Sequence, residues 1–360
     1  MAKTIGVLTS GGDCPGLNAV IRAVAFRAER GLGMTLLGIE NGTQGLLARP
    51  IEARDLDPAT LDTTSLRSAG TLLGTSNRGD PFAYPSTDGS VSDRSAEVIE
   101  GVRTLGLDAL IGIGGDGSLR ILRRLAAQGG IDFVGVPKTI DNDVAMTEVS
   151  IGFDTAMRVA TEALDALQPT AASHHRVMIL EVMGRSTGHI ALASGIAGGA
   201  DVILIPEIAY GLEPIAEKLE RLRAGGRSSA VIVVAEGVPD EDGQPVKTTQ
   251  PGGYETFGGV GERLAHRLAA ETGAETRVTV LGHLQRGAAP SPRDRMIAGA
   301  FGTHAVDLVA AGRFDRMVAW QNRSVIDVAL SEAIAETRRV DVDGSLVAAA
   351  RGLDICLGDG

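Results

Sequence analysis

Short apolar runs alternate along this chain with longer amphipathic ones, and glycine-rich turns separate them. Ile5-Gly6-Val7-Leu8 reads as a buried strand. A Gly/Pro loop follows, then a helix from Asn18 to Arg30 that Gly31 closes. Thr35–Ile39, Ala109–Ile113 and Phe133–Val136 read as further strands, with a helix running to Ala126 between the last two. Continuous apolar runs bounded by glycine are what strands covered on both faces present. A second series opens near residue 151. It predicts a helix over 151–167, strands at Arg176–Glu181, Val202–Ile205, Ala230–Val234 and Thr276–Leu281, and a helix from about Gly188. Pro239–Tyr254 is polar, holds several Gly and Pro, and reads as a surface loop. The β-loop-α repetition predicts an α/β protein with mostly parallel sheets, in a chain long enough for two domains.

Composition refines this picture. Of 360 residues, 44% are hydrophobic but only 3% aromatic, so the cores must be built from Ala, Val, Leu and Ile. The net charge of −11 suits solubility and argues against a nucleic-acid partner, whose affinity comes from neutralised phosphates. A small anion could still be held where arginines converge. The two cysteines, Cys14 and Cys356, form no CxxC motif, which fits a reduced cytoplasmic setting. Cys14 lies in a glycine loop and would be reactive only in an electropositive environment. The N-terminus lacks signal-peptide features, and no run of about 18 apolar residues predicts a membrane span.

In open parallel sheets, ligands bind beyond the carboxyl ends of the strands. Four segments there carry chemistry. Thr9–Gly16 (TSGGDCPG) has consecutive glycines that can aim N–H groups at an anion before a helix. Gly112–Ser118 (GIGGDGS) matches G-x-G-x-x-G, yet the next strand runs into Pro137-Lys138 rather than the acidic residue a dinucleotide fold requires. Gly-Gly-Asp-Gly also resembles the nucleotide loop of lipid and NAD kinases, and Asp116 can offer oxygen to Mg²⁺. Pro137–Asp143 (PKTIDND) combines a cation, a hydroxyl and two carboxylates. A carboxylate can take the proton of an attacking alcohol, and Thr139 can bond a phosphoryl oxygen. The fourth set is basic: Arg176, Arg185, Arg277, His283 and Arg286, suited to a sugar phosphate through forked arginine bonds. The adjacent His174-His175 pair would point to opposite faces of a strand, which disfavours a metal.

Taken together, these segments resemble 6-phosphofructokinase. The resemblance runs from Ile5 to about Asn322. It is carried in order by Ile5–Asp13 with Gly16–Ala19, Gly74–Arg78, Gly114–Ser118, Pro137–Asp143, Met183–Arg185, Glu236-Gly237 and Gly282–Gly287. It implies two Rossmann-like three-layer α/β/α domains with the active site in the cleft between them. Residues 1–151 with 285–335 would bind the donor, and 152–284 with 336–360 the sugar phosphate. It implies transfer of a phosphoryl group to the C1 hydroxyl of fructose 6-phosphate in glycolysis. Asp141 would be the base, supported by Asp143, with Thr139 and Arg185 on the transferred group. Gly11, Arg78, Asp116, Gly117, Ser118 and Lys138 would bind the donor and Mg²⁺. Met183, Gly184, Glu236, His283 and Arg286 would hold the sugar phosphate. Arg176 and Arg277 would reach it from a neighbouring subunit, which implies a homo-oligomer, usually a tetramer.

The donor depends on two positions. Pyrophosphate-using relatives usually carry Asp where Gly117 stands and Lys where Lys138 stands, whereas ATP-using bacterial enzymes commonly carry Gly at both. A carboxylate at 117 would crowd and repel the α-phosphate of ATP, while Lys138 suits either donor, so ATP is the expected donor and pyrophosphate the alternative. A NAD(P)-dependent oxidoreductase, arguable from Gly112–Gly117, would leave Pro137–Asp143 unexplained. The family's effector arginines are thinned here: Arg22 is present, but Phe26 and Arg227-Ser228-Ser229 replace the others.

Overall fold

The computed structural model describes residues 3–76, 80–85, 89–240, 243–249 and 255–359. They fall into two compact units. Both are α/β with mostly parallel sheets, as the apolar pattern predicts.

The first unit comprises residues 1–139, 143–155 and 286–337. Its sheet runs in the order Ser324–Ala329, Arg316–Gln321, Phe133–Thr139, Ala109–Gly114, Thr4–Thr9, Thr35–Ile39, Ala53–Asp55. The inner neighbours are parallel, and the two outermost strands are antiparallel. Thr9 pairs in register with Ile113, and Gly114 with Pro137, so three strands reach the same edge together. Ile5, Val7, Leu8, Ile111, Ile113, Val134 and Val136 are wholly buried, which explains their unbroken apolar runs.

Several local expectations are corrected. The strand starting at Phe133 continues through Pro137, Lys138 and Thr139, because Ile151–Gly152 pairs alongside its end in place of a helix start. The helix beginning at Leu17 gives way to a π-helical turn over Phe26–Gly31, where the Arg22 and Arg30 guanidiniums lie 4.2 and 4.8 Å from the Phe26 ring centre. Two strands absent from the predicted set, Arg316–Gln321 and Ser324–Ala329, follow the one at Thr276, and the mixed polar pattern hides the fully buried Met317, Val318 and Ala319.

The second unit comprises residues 140–142, 156–285 and 338–360. Its sheet is wholly parallel, in the order Val202–Leu204, Ala230–Ala235, Val177–Val182, Thr276–Val280. The helix Phe153–His174 runs through Pro169 rather than ending at Leu167. His174 therefore ends a helix and His175 has φ 56, so neither lies on a strand as expected. His175 Nδ1 instead meets Ser228 Oγ at 2.5 Å. The stretch read as a surface loop includes a short strand, Lys247–Thr249, which pairs antiparallel with Glu255–Phe257 just beyond it. Among the described residues, no helix is long and apolar enough to cross a membrane.

Candidate active site

In the first unit, the glycine loops meet at the carboxyl edge of the sheet. Gly11 has φ +83, and a Cβ there would fall 2.7 Å from Ser118 Oγ and 3.4 Å from Lys138 Nζ. The structure thus brings together Gly11, Ser118 and Lys138, which lie far apart in sequence. The turn is tied by Thr75 Oγ1 donating to the Gly11 carbonyl at 2.6 Å and by Ser10 N–H donating to Ile113 O at 2.9 Å. The buried Lys138 ammonium donates to the Gly12 carbonyl.

Asp116 opens the helix Asp116–Gly129, where a carboxylate is favoured by the unpaired N–H groups and the helix dipole. Its Oδ2 is 3.9 Å from the Arg120 guanidinium. Gly117 follows it, and a Cβ at that position would meet nothing within 4 Å. Open space therefore lies where a side chain would project.

Arg286 falls in the part of the chain, 285–335, expected to join the first domain. It belongs to the first unit, and its Nη1 donates to the Asp13 carbonyl at 2.8 Å. Cys14 is fully buried in the same loop, and burial pushes its thiol up to about 12, so it is no reactive thiolate. Arg78 lies outside the described residues. Thr139 and Asp143 are both buried in the first unit.

In the second unit, a cluster sits at the carboxyl ends of Val177–Val182 and Ala230–Ala235. Glu236 accepts N–H bonds from Gly184 at 3.3 Å and Arg185 at 3.0 Å. Burial raises its carboxyl to about 7, against the lowering effect of the Arg185 amide and with Asp141 and Glu181 adding to the rise. Arg185 has φ 51 and an exposed side chain. Gly237 is required beside it, since a Cβ there would lie 1.7 Å from the Arg185 carbonyl oxygen. Thr187 Oγ1 donates to the Gly184 carbonyl at 3.1 Å and to the carbonyl of buried Asp141 at 3.3 Å. Met183 N–H donates to Gln285 Oε1 at 2.9 Å, and Gln285 is fully buried. His283 is exposed on the turn just before it. Thr187 and Gln285 escaped the sequence reading, although Gln285 sits inside the Gly282–Gly287 motif.

Arg176 and Arg277 are not part of this cluster. They were grouped with basic residues after strands, but both stand where strands begin, as the predicted bounds had them: Arg176 immediately precedes Val177–Val182 and Arg277 is the second residue of Thr276–Val280. Both occupy the amino edge of the sheet and share Glu275, whose Oε1 lies 2.8 Å from Arg176 and 2.5 Å from Arg277. A strand of six residues places the two edges roughly 17–20 Å apart.

A family model described as phosphofructokinase matches residues 4–309. The chain belongs to the phosphofructokinase family. It is 57% identical over 357 residues to ATP-dependent 6-phosphofructokinase 1 of Synechocystis sp., covering 99% of both chains. Among solved structures, Pichia pastoris phosphofructokinase in the T-state superposes with a TM-score of 0.80 at 29% identity, over 99% of this chain and 37% of that longer one. The fold also matches a pyrophosphate-dependent phosphofructokinase from Nitrosospira multiformis, with a TM-score of 0.81 at 22% identity over 100% of this chain and 93% of that one. At 22% identity the second likeness shows the fold alone, whereas the 57% identical relative is named for ATP.

Proposed function

We propose that this phosphofructokinase transfers the γ-phosphoryl group of ATP to the C1 hydroxyl of fructose 6-phosphate, giving fructose 1,6-bisphosphate and ADP in glycolysis. What supports this most is near-full-length 57% identity to a protein named ATP-dependent 6-phosphofructokinase. In this reading the Asp141 carboxylate takes the C1 hydroxyl proton as the oxygen attacks phosphorus in line. Arg185 and Thr139 bond the oxygens of the transferred group as charge develops on them. Asp143 supports the same segment. Gly11, Ser118 and Lys138 cradle the donor, and Arg78 contributes to that binding.

Asp116 fits Mg²⁺ in a limited sense. It offers one hard oxygen at a helix start, and no cluster of three or more metal-ligating side chains occurs among the described residues. Such a site suits an ion that takes its remaining ligands from phosphate and water. Bound there, Mg²⁺ would neutralise charge on the donor's phosphates. Met183, Gly184, Glu236, His283 and Arg286 hold the sugar phosphate. Arg176 and Arg277 act in the site of another copy of the chain, since their own edge of the sheet is remote from it, which makes the working enzyme a homo-oligomer.

Gly117 supports ATP, because space remains open where an acidic side chain would project toward the α-phosphate. Steady-state rates with fructose 6-phosphate and either ATP-Mg or pyrophosphate-Mg test the donor. We expect much the larger kcat/KM with ATP, and Gly117→Asp should depress ATP use selectively. A higher kcat/KM with pyrophosphate would refute the assignment.

A further inference from the structure

Asn142 stands between Asp141 and Asp143 and adopts φ 55, a left-handed conformation that Asn tolerates better than other side-chain-bearing residues. It is buried, so its carbonyl must be hydrogen-bonded. The partner comes from 196 residues away: Arg338 donates to Asn142 O through Nε at 3.1 Å and Nη2 at 2.8 Å. Both residues belong to the second unit.

Arg338 is itself anchored. Its carbonyl lies 3.1 Å from His189 Nε2. Two residues on, Val340 N–H donates to Glu207 Oε1 at 2.9 Å, and the same oxygen accepts Gly188 N–H at 3.1 Å. His189 is held neutral at working pH, its pKa lowered to about 4 by burial and then by the Arg338 charge. A neutral ring with hydrogen on Nε2 donates to the Arg338 carbonyl. The same stretch, Thr187 to His189, touches the segment on its other side through the bond from Thr187 Oγ1 to the Asp141 carbonyl. Two successive carbonyls, of Asp141 and Asn142, are thus fixed by donors from opposite ends of one connected framework.

We propose that Arg338 is a positioning residue for phosphoryl transfer: its guanidinium holds the Asn142 carbonyl and thereby sets the direction of the Asp141 carboxylate. This rests on Asp141 being the base. In this role Arg338 acts through the Asn142 carbonyl, so its loss should lower kcat and leave ground-state binding alone. Misplacing a reacting group by a fraction of an ångström to one ångström costs up to about 100-fold in rate.

The test is Arg338→Met, which roughly keeps length and removes the guanidinium, measured beside Arg339→Met, an exposed neighbour with the same charge change. Arg338→Met should lower kcat about 10- to 100-fold, with KM for fructose 6-phosphate and ATP within about 2-fold of wild type. Arg339→Met should match wild type. In an Asp141→Ser background, Arg338→Met should cost little more, because the group it aims is gone. If Arg338→Met lowers thermal stability enough to blur the comparison, Arg338→Ala with added guanidinium ion should recover part of kcat, and Arg338→Lys should fall between the two. The inference is overturned if kcat in Arg338→Met stays within about 2-fold, if the loss sits in KM, or if it is fully additive with Asp141→Ser. Near-normal kcat in Asp141→Ser alone would instead strike at the base assignment.

Discussion

The two edges of the second unit's sheet carry the same residue type to different ends. At the carboxyl edge, Arg185 sits in a left-handed turn whose backbone is gripped by Glu236 and crowded by Gly237. At the amino edge, Arg176 and Arg277 lie against a shared, half-exposed Glu275. One arginine is held through its backbone, leaving its guanidinium exposed to solvent. The other two are held through their side chains. Exposed ion pairs contribute only about 0–1 kcal/mol, so Glu275 can release either guanidinium to a phosphate at little cost. The contrast teaches that the carboxyl edge is preorganised for chemistry, while the amino edge stores charge that can be turned outward.

The largest effect should come from the carboxyl edge. Asp141→Ser should lower kcat by about 100-fold or more, the scale of general-base loss, with little change in KM for fructose 6-phosphate. Steady-state kinetics checks this, and a loss confined to KM would erase the distinction between the edges. Arg277→Ala should act the other way. Removing a charge-assisted phosphate bond worth about 1.5–3 kcal/mol should raise KM for fructose 6-phosphate roughly 10-fold or more, with kcat changed less. Equal losses in kcat would mean that the amino-edge arginines do more than bind.

The smallest effect concerns Glu236. Its folded-state carboxyl titrates near 7, above the ordinary 4.5, chiefly through burial. The folded state therefore holds this proton more tightly than the unfolded chain does. That contribution to stability is fully present below about 4.5 and is lost as pH rises through 7. Glu236→Gln keeps an oxygen for the Gly184 and Arg185 amides and removes the titration. Thermal melts at pH 5 and pH 8 should show Tm falling less in the variant than in wild type. Parallel curves would show that Glu236 does not carry the shift.

Much of this was legible in sequence because buried parallel strands leave unbroken apolar runs and their functional loops follow directly. By that rule Gly11, Asp116, Gly117 and Asp141 were read as following strands, and each does. Arg316–Gln321 was missed because an arginine, a tryptophan and a glutamine flank its three buried residues. The strand ending at Thr139 was cut short at Pro137, which looks like a strand terminator but needs no donor at that place. Arg176 and Arg277 were grouped with the arginines that follow strands by residue type alone, although the predicted strands Arg176–Glu181 and Thr276–Leu281 already put both at amino ends. Thr187, Gln285 and Arg338 were invisible because each acts on a backbone group distant in sequence, and no local pattern records that.

The contrast between the edges is tested most directly by complementation. Asp141→Ser chains lack the base, and Arg277→Ala chains lack one phosphate ligand. Differently tagged copies would be co-expressed, the hybrid purified, and activity measured at a fructose 6-phosphate concentration well below the wild-type KM. If Arg277 serves the site of another copy, the hybrid contains sites with both residues intact, and its activity should clearly exceed that of either parent. A hybrid no more active than the mean of the two parents would contradict the account.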